Sequence, residues 1–150
     1  MKIPCVFMRG GTSKAVFFHE KDLPEDKSLW SDIFLKVMGS PDPKEIDGMG
    51  GAHPTTSKIA VISKSEDPEY DVNYSFFQVA VATPQVSDKL NCGNISSAVG
   101  AYSIDEGLVE AKEPVAKIRI YNTNTKKFIE EHIRVKNGKA MTTGDAEIIG

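Results

Sequence analysis

A cysteine placed between polar residues is the feature of this 150-residue chain that most clearly suggests chemistry. Cys92 lies in the sequence NCGN at 91–94, and the small residues up to Gly100 favour a helix that starts there. The backbone N–H groups of a helix start are unpaired, and the helix dipole favours negative charge. Such a place lowers the pKa of a thiol and accepts a carboxylate. The alternative is an ordinary helix cap with a small buried cysteine.

Two glycine-containing loops carry further polar groups suited to chemistry. Residues 9–14 read RGGTSK, where glycines let backbone N–H groups approach a ligand and Arg9 offers two donors to a carboxylate. Residues 48–58 read GMGGAHPTTSK and bring Lys58 to the mouth of an apolar strand, where desolvation disfavours a charged amine and favours a base. Taken singly, a hairpin turn and a surface lysine are the favoured alternatives. Together with 91–94, the loops would supply an anion cradle, a base and a thiol acid.

Several other kinds of site are not supported by the sequence. His19, His53 and His132 are far apart from each other and from the cysteines, so no metal site is predicted. The G-x-S-x-G pattern of serine hydrolases and the spacing of a Walker phosphate loop are both missing. The three loops are thus the candidates for chemistry that remain.

Length and composition fit one ordinary globular domain or a piece of something larger. The chain is 40% hydrophobic and 26% charged, with a net charge of −3, so a core of useful size is possible. No basic stripe is present, which argues against nucleic acid as a partner. The apolar runs are too short to cross a membrane, and the N-terminus does not read as a signal peptide. Two cysteines are too few for a disulfide framework, so we expect reduced thiols and a cytoplasmic location.

Periodicity predicts a strand-rich α+β chain with two helices. The helices are predicted over 29–38 and 92–106, the first ended by Gly39 and the second by Gly107. The alternation of apolar residues changes phase within 72–81, which indicates either a bulge or a strand covered on both faces. The predicted strands are 3–8, 14–18, 57–62, 72–81, 115–121, 128–135 and 139–143.

The pattern also predicts which side chains are buried. Trp30 belongs to the apolar stripe of the first helix and is expected in the core. Cys5 lies within the first predicted strand and is likewise expected in the core. Glu130 and Glu131 are expected to be solvated charges of a strand or turn.

The ordered set of motifs resembles the PrpF family, which includes methylitaconate Δ-isomerase, aconitate isomerases and oxalomesaconate tautomerases. Residues 104–107 (IDEG) and 122–125 (NTNT) look most like the methylitaconate isomerase branch. Ser87 and Leu90 stand where family members tend to have Asp and Gly, so the loop that leads into residue 91 is expected to be shaped differently. The other matching segments are 8–14, 46–51, 56–58, 91–100, and Gly144 and Asp145 with Ile148, where the family crosses into its second half.

The resemblance implies a fold and a domain organisation. It implies an α+β domain similar to diaminopimelate epimerase, in which a mixed, strongly curved sheet wraps around a central helix. Family members are well over twice as long and have two such domains, with the active site in the cleft between them. Residues 1–150 are thus expected to be the N-terminal half of a two-domain isomerase, and this half alone is expected to be inactive.

The resemblance also implies a cofactor-independent isomerase that moves a C=C bond in an unsaturated di- or tricarboxylic acid. A base removes a proton beside the C=C–carboxylate system, hydrogen bonds hold the dienolate, and a proton returns at the far carbon. Lys58 is expected to be the base, and Cys92 the second proton-transfer group or a substrate contact. Whether one lysine moves the proton on a single face or both groups act from two sides stays open. The residues expected to bind substrate carboxylates are Thr12, Ser13, Ser57, Asn91, Gly93, Asn94 and Arg9.

Two other functions fit the same residues. One is a non-catalytic domain for carboxylate binding or assembly. The other is a related cofactor-independent epimerase, although those enzymes pair cysteines from two domains and only one candidate cysteine is visible here. A second strand–helix domain beyond Gly150 would favour the isomerase, whereas a natural end there would favour binding. A homo-oligomer is also expected, because half an enzyme would expose the apolar wall of its cleft.

Overall fold

The computed structural model describes residues 2–145 and 147 of the chain. Its helices are α1 (Trp30–Met38), α2 (Gly93–Ser96) and α3 (Val99–Asp105), with 3-10 turns at Glu20–Asp22 and Lys27–Leu29. Its strands are β1 (Val6–Gly10), β2 (Ser13–His19), β3 (Lys58–Lys64), β4 (Val72–Val79), β5 (Val86–Ser87), β6 (Val115–Asn122), β7 (Lys127–Lys136) and β8 (Lys139–Ala140).

The strands form one mixed sheet that curls around two short helices. The strand order is β1-β2-β3-β4-β6-β7-β8, with β5 added beside β4. The pairs β2–β3 and β4–β6 are parallel, and the others are antiparallel. Helix α2 contacts β1 and β2 near one edge, whereas α3 contacts β7 and β8 at the other. Because consecutive short helices reach both edges, the sheet must be strongly curved, as the resemblance implies.

The central strands are buried on both faces, which explains their nearly continuous apolar sequences. In β3, Ala60 and Ile62 pack in the inner core beneath α2 and α3, whereas Ile59 and Val61 pack in an outer core with α1. In β4, Phe76 faces the inner core and Phe77 packs against the outer one. The β3–β4 register runs without interruption from Lys58 to Lys64. The phase change in β4 therefore reflects burial on both faces and not a bulge.

The predicted helix over 92–106 is broken into two pieces. Helix α2 ends at Ser96, and α3 begins at Val99. Between them, the Ser97 hydroxyl donates to the Asn94 carbonyl at 2.7 Å, and the Ala98 N–H donates to the Ile95 carbonyl at 3.0 Å. Because these bonds span three residues and one comes from a side chain, they tighten the turn and interrupt the helical ladder. Gly107 then adopts a positive φ of 71° just after α3, as its sequence position predicts.

The first and last strands are shorter than predicted. Strand β1 begins at Val6, so Cys5 lies outside the ladder and is exposed; its prediction as a core residue was wrong. The reason is that β1 is an edge strand, which among the described residues pairs with β2 alone. Trp30 is 5% exposed, which confirms its place in the core. Strand β8 covers only Lys139–Ala140, and Ile148 lies outside the described residues.

No helix within residues 2–145 has the length and apolar character needed to cross a membrane.

Glu131 is half-buried, which corrects the prediction that it is solvated. It lies on β7 between Ile129 and Ile133, which both pack against the inner core. Its Oε2 accepts a hydrogen bond from the Gly100 N–H at 2.7 Å, and a Cβ at Gly100 would collide with this carboxylate. Burial raises the pKa of Glu131 to about 7, against the lowering effect of the Gly100 bond. The carboxyl group is therefore a polar contact that joins β7 to the start of α3.

We expect Glu131→Gln to remove a pH dependence of folding. Between the ordinary value near 4.5 and about 7, the folded protein keeps a proton on Glu131 that the unfolded chain has lost, so the free energy of unfolding falls as pH rises. A glutamine still offers an acceptor to Gly100. The free energy of unfolding of the variant minus that of the parent should rise by up to about 3 kcal/mol as the pH goes from 4 to 8. Urea unfolding at each pH measures it.

Glu130→Gln provides the matched control on the opposite side of β7. A hydrogen bond from Lys117 lowers the pKa of Glu130, so its replacement should bring no gain at pH 8. A difference between parent and Glu131→Gln that stays constant from pH 4 to pH 8 would contradict the assignment.

Candidate active site

The turn between β1 and β2 packs directly onto the start of α2. A Cβ at Gly10 or Gly11 would collide with Asn94, and Gly11 has a positive φ of 49°. Asn94 Nδ2 donates to Thr12 Oγ1 at 3.1 Å, and the Thr12 N–H donates to Asn94 Oδ1 at 3.4 Å. The two glycines are thus needed for close approach, and the structure brings Thr12 and Asn94 together as a clamp.

Cys92 lies at the N-cap of α2 and turns its thiol toward β2. The residue is half-buried and packs against the inner core. Its Sγ is 3.9 Å from the hydroxyl oxygen of Ser13, which is itself only 2% exposed. Helix α2 has four residues, so its free N–H groups, and not a long helix dipole, would favour an anion here.

Lys58 is a buried amine without a carboxylate partner among the described residues. It begins β3 and is 8% exposed, so its interpretation as a surface lysine is wrong. Its Nζ donates to Gln78 Oε1 at 2.6 Å and lies 5.1 Å from the centre of the Phe76 ring. No described Asp or Glu oxygen lies within 4 Å of it. An amide oxygen and an aromatic face therefore compensate this cation.

The lysine and the thiol lie on the same face of the sheet, toward the same end. Phe76, beneath the amine, belongs to the inner core against which Cys92 also packs. Strands β2 and β3 run parallel, with Val16 beside Ile59, so the start of β2 lies next to the start of β3. Cys92 contacts the first residue of β2, and Lys58 is the first residue of β3. The two groups thus lie at the ends of neighbouring strands, Cys92 beside the start of β2 and Lys58 at the start of β3.

Asn122 anchors the Asn91 side chain next to the thiol. The Thr125 N–H donates to Asn122 Oδ1 at 2.9 Å, so the amide nitrogen of Asn122 must face the other way. That nitrogen donates to Asn91 Oδ1 at 2.9 Å, and Ser96 Oγ donates to the same oxygen at 3.4 Å. With its oxygen held inward, Asn91 is left to present its NH2 group. Asn122 is fully buried and was missed in the sequence analysis, where 122–125 served only as a family motif.

Two of the predicted binding residues, Ser57 and Arg9, make other contacts, whereas Gly93 is open to a ligand. Ser57 is fully buried, and its hydroxyl donates to Glu45 Oε1 at 2.5 Å, so it is not brought together with Cys92. Arg9 is exposed, and its Nε donates within its own turn to the Gly11 carbonyl at 2.8 Å. Gly93 is exposed, with no atom placed to meet a Cβ there, so its backbone is open to a ligand.

Glu45 is a buried polar residue that the sequence did not reveal. It is 2% exposed within the loop before β3, and it accepts hydrogen bonds from the Ala52 N–H and the Ser57 hydroxyl. A Cβ at Gly50 would collide with its carboxylate, which explains one glycine of the loop. The loop is therefore wrapped around an internal carboxylate, and a single glutamate in a polar segment gives no sequence signal for this role.

Two cavities lie away from these groups. A cavity of about 820 Å³ is lined by Cys5, Phe18, Ile33 and Met49 beside α1. Another of about 570 Å³ is lined by polar and aromatic residues that include Asn124. Neither is lined by Lys58 or Cys92, so neither is the candidate site at the end of the inner face.

Comparison with known proteins places this arrangement in a family. The protein-family model described as PrpF protein matches residues 1–150. The 3-methylitaconate isomerase of Eubacterium barkeri is 47% identical over 150 residues, which are 100% of this chain and 40% of the relative. The (4E)-oxalomesaconate Delta-isomerase of Novosphingobium sp. (strain KA1) is 48% identical over 147 residues, 98% of this chain and 41% of the relative. The chain thus spans about 40% of the length of these curated relatives.

Solved structures show the same fold. The crystal structure of a methylitaconate-delta-isomerase matches with a TM-score of 0.95 and 47% identity, over 99% of this chain and 38% of the other. A hydroxyproline epimerase from Agrobacterium vitis matches with a TM-score of 0.59 and 13% identity, over 91% of this chain and 38% of the other, which shows likeness of fold alone. These neighbours confirm the diaminopimelate epimerase-like domain that the resemblance implied.

We expect Asn122→Ala to lower the free energy of unfolding by about 2–3 kcal/mol, because it leaves the Thr125 N–H and the Asn91 oxygen without their buried partner. Urea unfolding of parent and variant measures the loss. Asn73→Ala is the control, since its amide makes only a 3.5 Å contact to Ser63, and it should cost less than about 1 kcal/mol. Equal losses in the two variants would contradict an anchoring role for Asn122.

Proposed function

Residues 1–150 belong to the PrpF family, and from this we propose that they form part of an isomerase that moves a C=C bond in an unsaturated di- or tricarboxylic acid without a cofactor. The two relatives that isomerise methylitaconate and oxalomesaconate support this reaction and substrate class. The high similarity to a solved methylitaconate-delta-isomerase supports it further.

The observation that carries the proposal is the buried amine of Lys58 on the same face and end of the sheet as the Cys92 thiol. A buried cation is costly unless an opposite charge compensates it. Because no described carboxylate lies within ion-pairing distance, no ion pair holds the amine in its charged form. The same amine, once neutral, is a base that lies beside the bound acid.

The reaction is a proton transfer in two steps. In the first, the neutral amine of Lys58 takes a proton from the carbon next to the C=C–carboxylate system, so a C–H bond breaks, an N–H bond forms and the electron pair spreads into a dienolate. In the second, a proton returns to the far carbon as the C=C bond settles in its new position. Either the Lys58 ammonium or the Cys92 thiol delivers it; when Cys92 does so, the two groups regain their starting protonation through solvent. General acid–base catalysis of this kind is worth about 10²–10⁴-fold in rate.

Hydrogen-bond donors beside these groups hold the substrate carboxylates and the charge of the dienolate. The Asn91 NH2 group, the open Gly93 backbone and the Asn94–Thr12 clamp border the thiol on one side. Ser13 borders it on the other. Arg9 and Ser57, which were expected to share this task, act through the turn and the loop that they stabilise.

We also propose that this domain is the N-terminal half of a two-domain enzyme whose second domain completes the site. The 40% coverage of the relatives and the exposure of Asn91, Gly93 and Asn94 support this organisation. The half alone is then inactive, whereas the complete gene product turns over its acid. The two free cysteines are consistent with a cytoplasmic location. The exposed side chains of Phe7 and Leu90 are consistent with association with another domain or a second copy.

In the complete gene product, we expect Lys58→Ala to reduce the rate by about 10²–10⁴-fold, because the variant lacks the base. Proton exchange of candidate acids in heavy water, followed by NMR, measures the rate, and circular dichroism checks folding. Lys64→Ala at the exposed far end of β3 is the matched control and should keep the parent rate. A near-normal rate for Lys58→Ala excludes Lys58 as the base, and a complete gene product that exchanges no acid supports a carboxylate-binding domain instead.

We expect a bound acid to protect Cys92, but not Cys5, from alkylation. Cys92 lies beside the proposed binding donors, whereas Cys5 is exposed near α1. The rate at Cys92 should fall roughly by the factor 1 + [acid]/Kd, and mass spectrometry of the two peptides provides the internal control. Equal rates at Cys92 with and without a saturating acid that the enzyme isomerises would argue that this thiol is structural.

A further inference from the structure

We propose that Gln78 is a positioning residue that holds the amine of Lys58 in place for proton transfer. The inference rests on the proposed role of Lys58 as the base. It adds a residue that the motifs did not include, and the hydrogen bonds around that residue support it.

The orientation of the Gln78 amide is fixed by the backbone. Its Nε2 donates to the Ser57 carbonyl at 2.9 Å and to the Pro54 carbonyl at 3.0 Å. Backbone carbonyls only accept hydrogen bonds, so the NH2 group must lie on that side. The amide oxygen therefore faces Lys58, whose Nζ is 2.6 Å away.

Strand pairing fixes the same contact. Lys58 and Gln78 are direct partners in the β3–β4 register, and Gln78 is also paired with Ser87 of β5 on its other side. The backbone of Gln78 thus lies between two strands, while its side chain reaches the loop before β3 and the amine that begins β3. The Phe76 ring supports the amine from beneath, at 5.1 Å. Little freedom remains for the position of Nζ.

A neutral acceptor suits a lysine base better than a carboxylate. An amide oxygen accepts an N–H from the amine in both its charged and neutral forms, so the contact persists when the proton leaves and the lone pair is free for the substrate. A carboxylate in the same place would favour the ammonium form and repel an acidic substrate. Gln78 therefore holds the amine without fixing it in its charged form.

Few other groups near Lys58 can titrate. From α2, the titratable group toward this end of the inner face is Cys92. The residues that β2 and β4 contribute there are Ser13, Phe76 and Gln78, and none of them ionises in the neutral range. The loop before β3 adds the buried carboxylate of Glu45, which binds the Ser57 hydroxyl and lies beyond 4 Å from Nζ of Lys58. Changes at Gln78 should therefore be read directly in the protonation of the lysine.

The test uses two variants of the complete gene product that act in opposite directions. Gln78→Glu places a charge beside the amine, so the acid limb of the kcat profile should move up by about one pH unit and kcat at pH 7 should fall about tenfold. Gln78→Met keeps the length of the side chain but removes the oxygen that accepts a hydrogen bond from the ammonium. The acid limb of the kcat profile should therefore move to lower pH, and kcat should fall about tenfold because the amine is no longer held in place. Gln85→Glu makes the same change in charge on an exposed loop and should alter neither quantity.

A second measurement separates this proposal from the proposed function. The Cε signal of Lys58, assigned with Lys58→Ala, is titrated by NMR in the parent and in each variant. Its midpoint should rise in Gln78→Glu, fall in Gln78→Met and stay unchanged in Gln85→Glu. The NMR titration can be carried out even if the protein isomerises no acid. That result would overturn the proposed function but not the contact between Gln78 and Lys58. The positioning role is overturned if the midpoints are unchanged in both Gln78 variants. It is also overturned if the midpoints shift but the kcat profile of an active enzyme does not. If Gln78→Glu does not fold, Gln78→Met still provides the test.

Discussion

The buried amine of Lys58 is the constraint on which the arrangement of this end of the sheet depends. A cation in an apolar core is stable only where polar or aromatic groups compensate it. Here a single amide oxygen and one aromatic face do so, and no described carboxylate lies within ion-pairing distance. Neutral groups alone thus compensate the lysine within the part of the chain that the structure describes.

Neutral amides carry out most of the positioning. Gln78 is oriented by two backbone carbonyls and faces the amine, whereas Asn122 is oriented by a backbone N–H and holds Asn91 beside the thiol. Asn94 clamps the β1–β2 turn to the start of α2. The contacts of each amide set its orientation, and none of the three amides brings a charge to the site. Fixed side-chain positions and a lysine without an ion-pair partner among the described residues are thus compatible in one small site.

The sequence predicted the pieces of this site better than their connections. Apolar periodicity identified the long strands and α1, and the motifs led to the prediction of Lys58 and Cys92 as site residues, because these signals are local. The burial of Glu131 could not be predicted, since it depends on the α3 start that packs opposite β7. The pairing of Lys58 with Gln78 depends on the β3–β4 register, which a single sequence does not reveal. The break after Ser96 was missed because the Ser97 hydroxyl competes with the helix only in a particular local geometry.

The contrast between fixed and open groups bears on how one fold serves different acids. Lys58, Gln78 and Asn122 are bound from several sides, so their geometry cannot vary without disturbing the sheet. Arg9 and Leu90, by contrast, are exposed at the border of the site. The proposed proton transfer depends on this fixed set, because a misplacement of about 1 Å can cost about 10²-fold in rate. Changes at the exposed border, by contrast, leave the folding of the buried set intact.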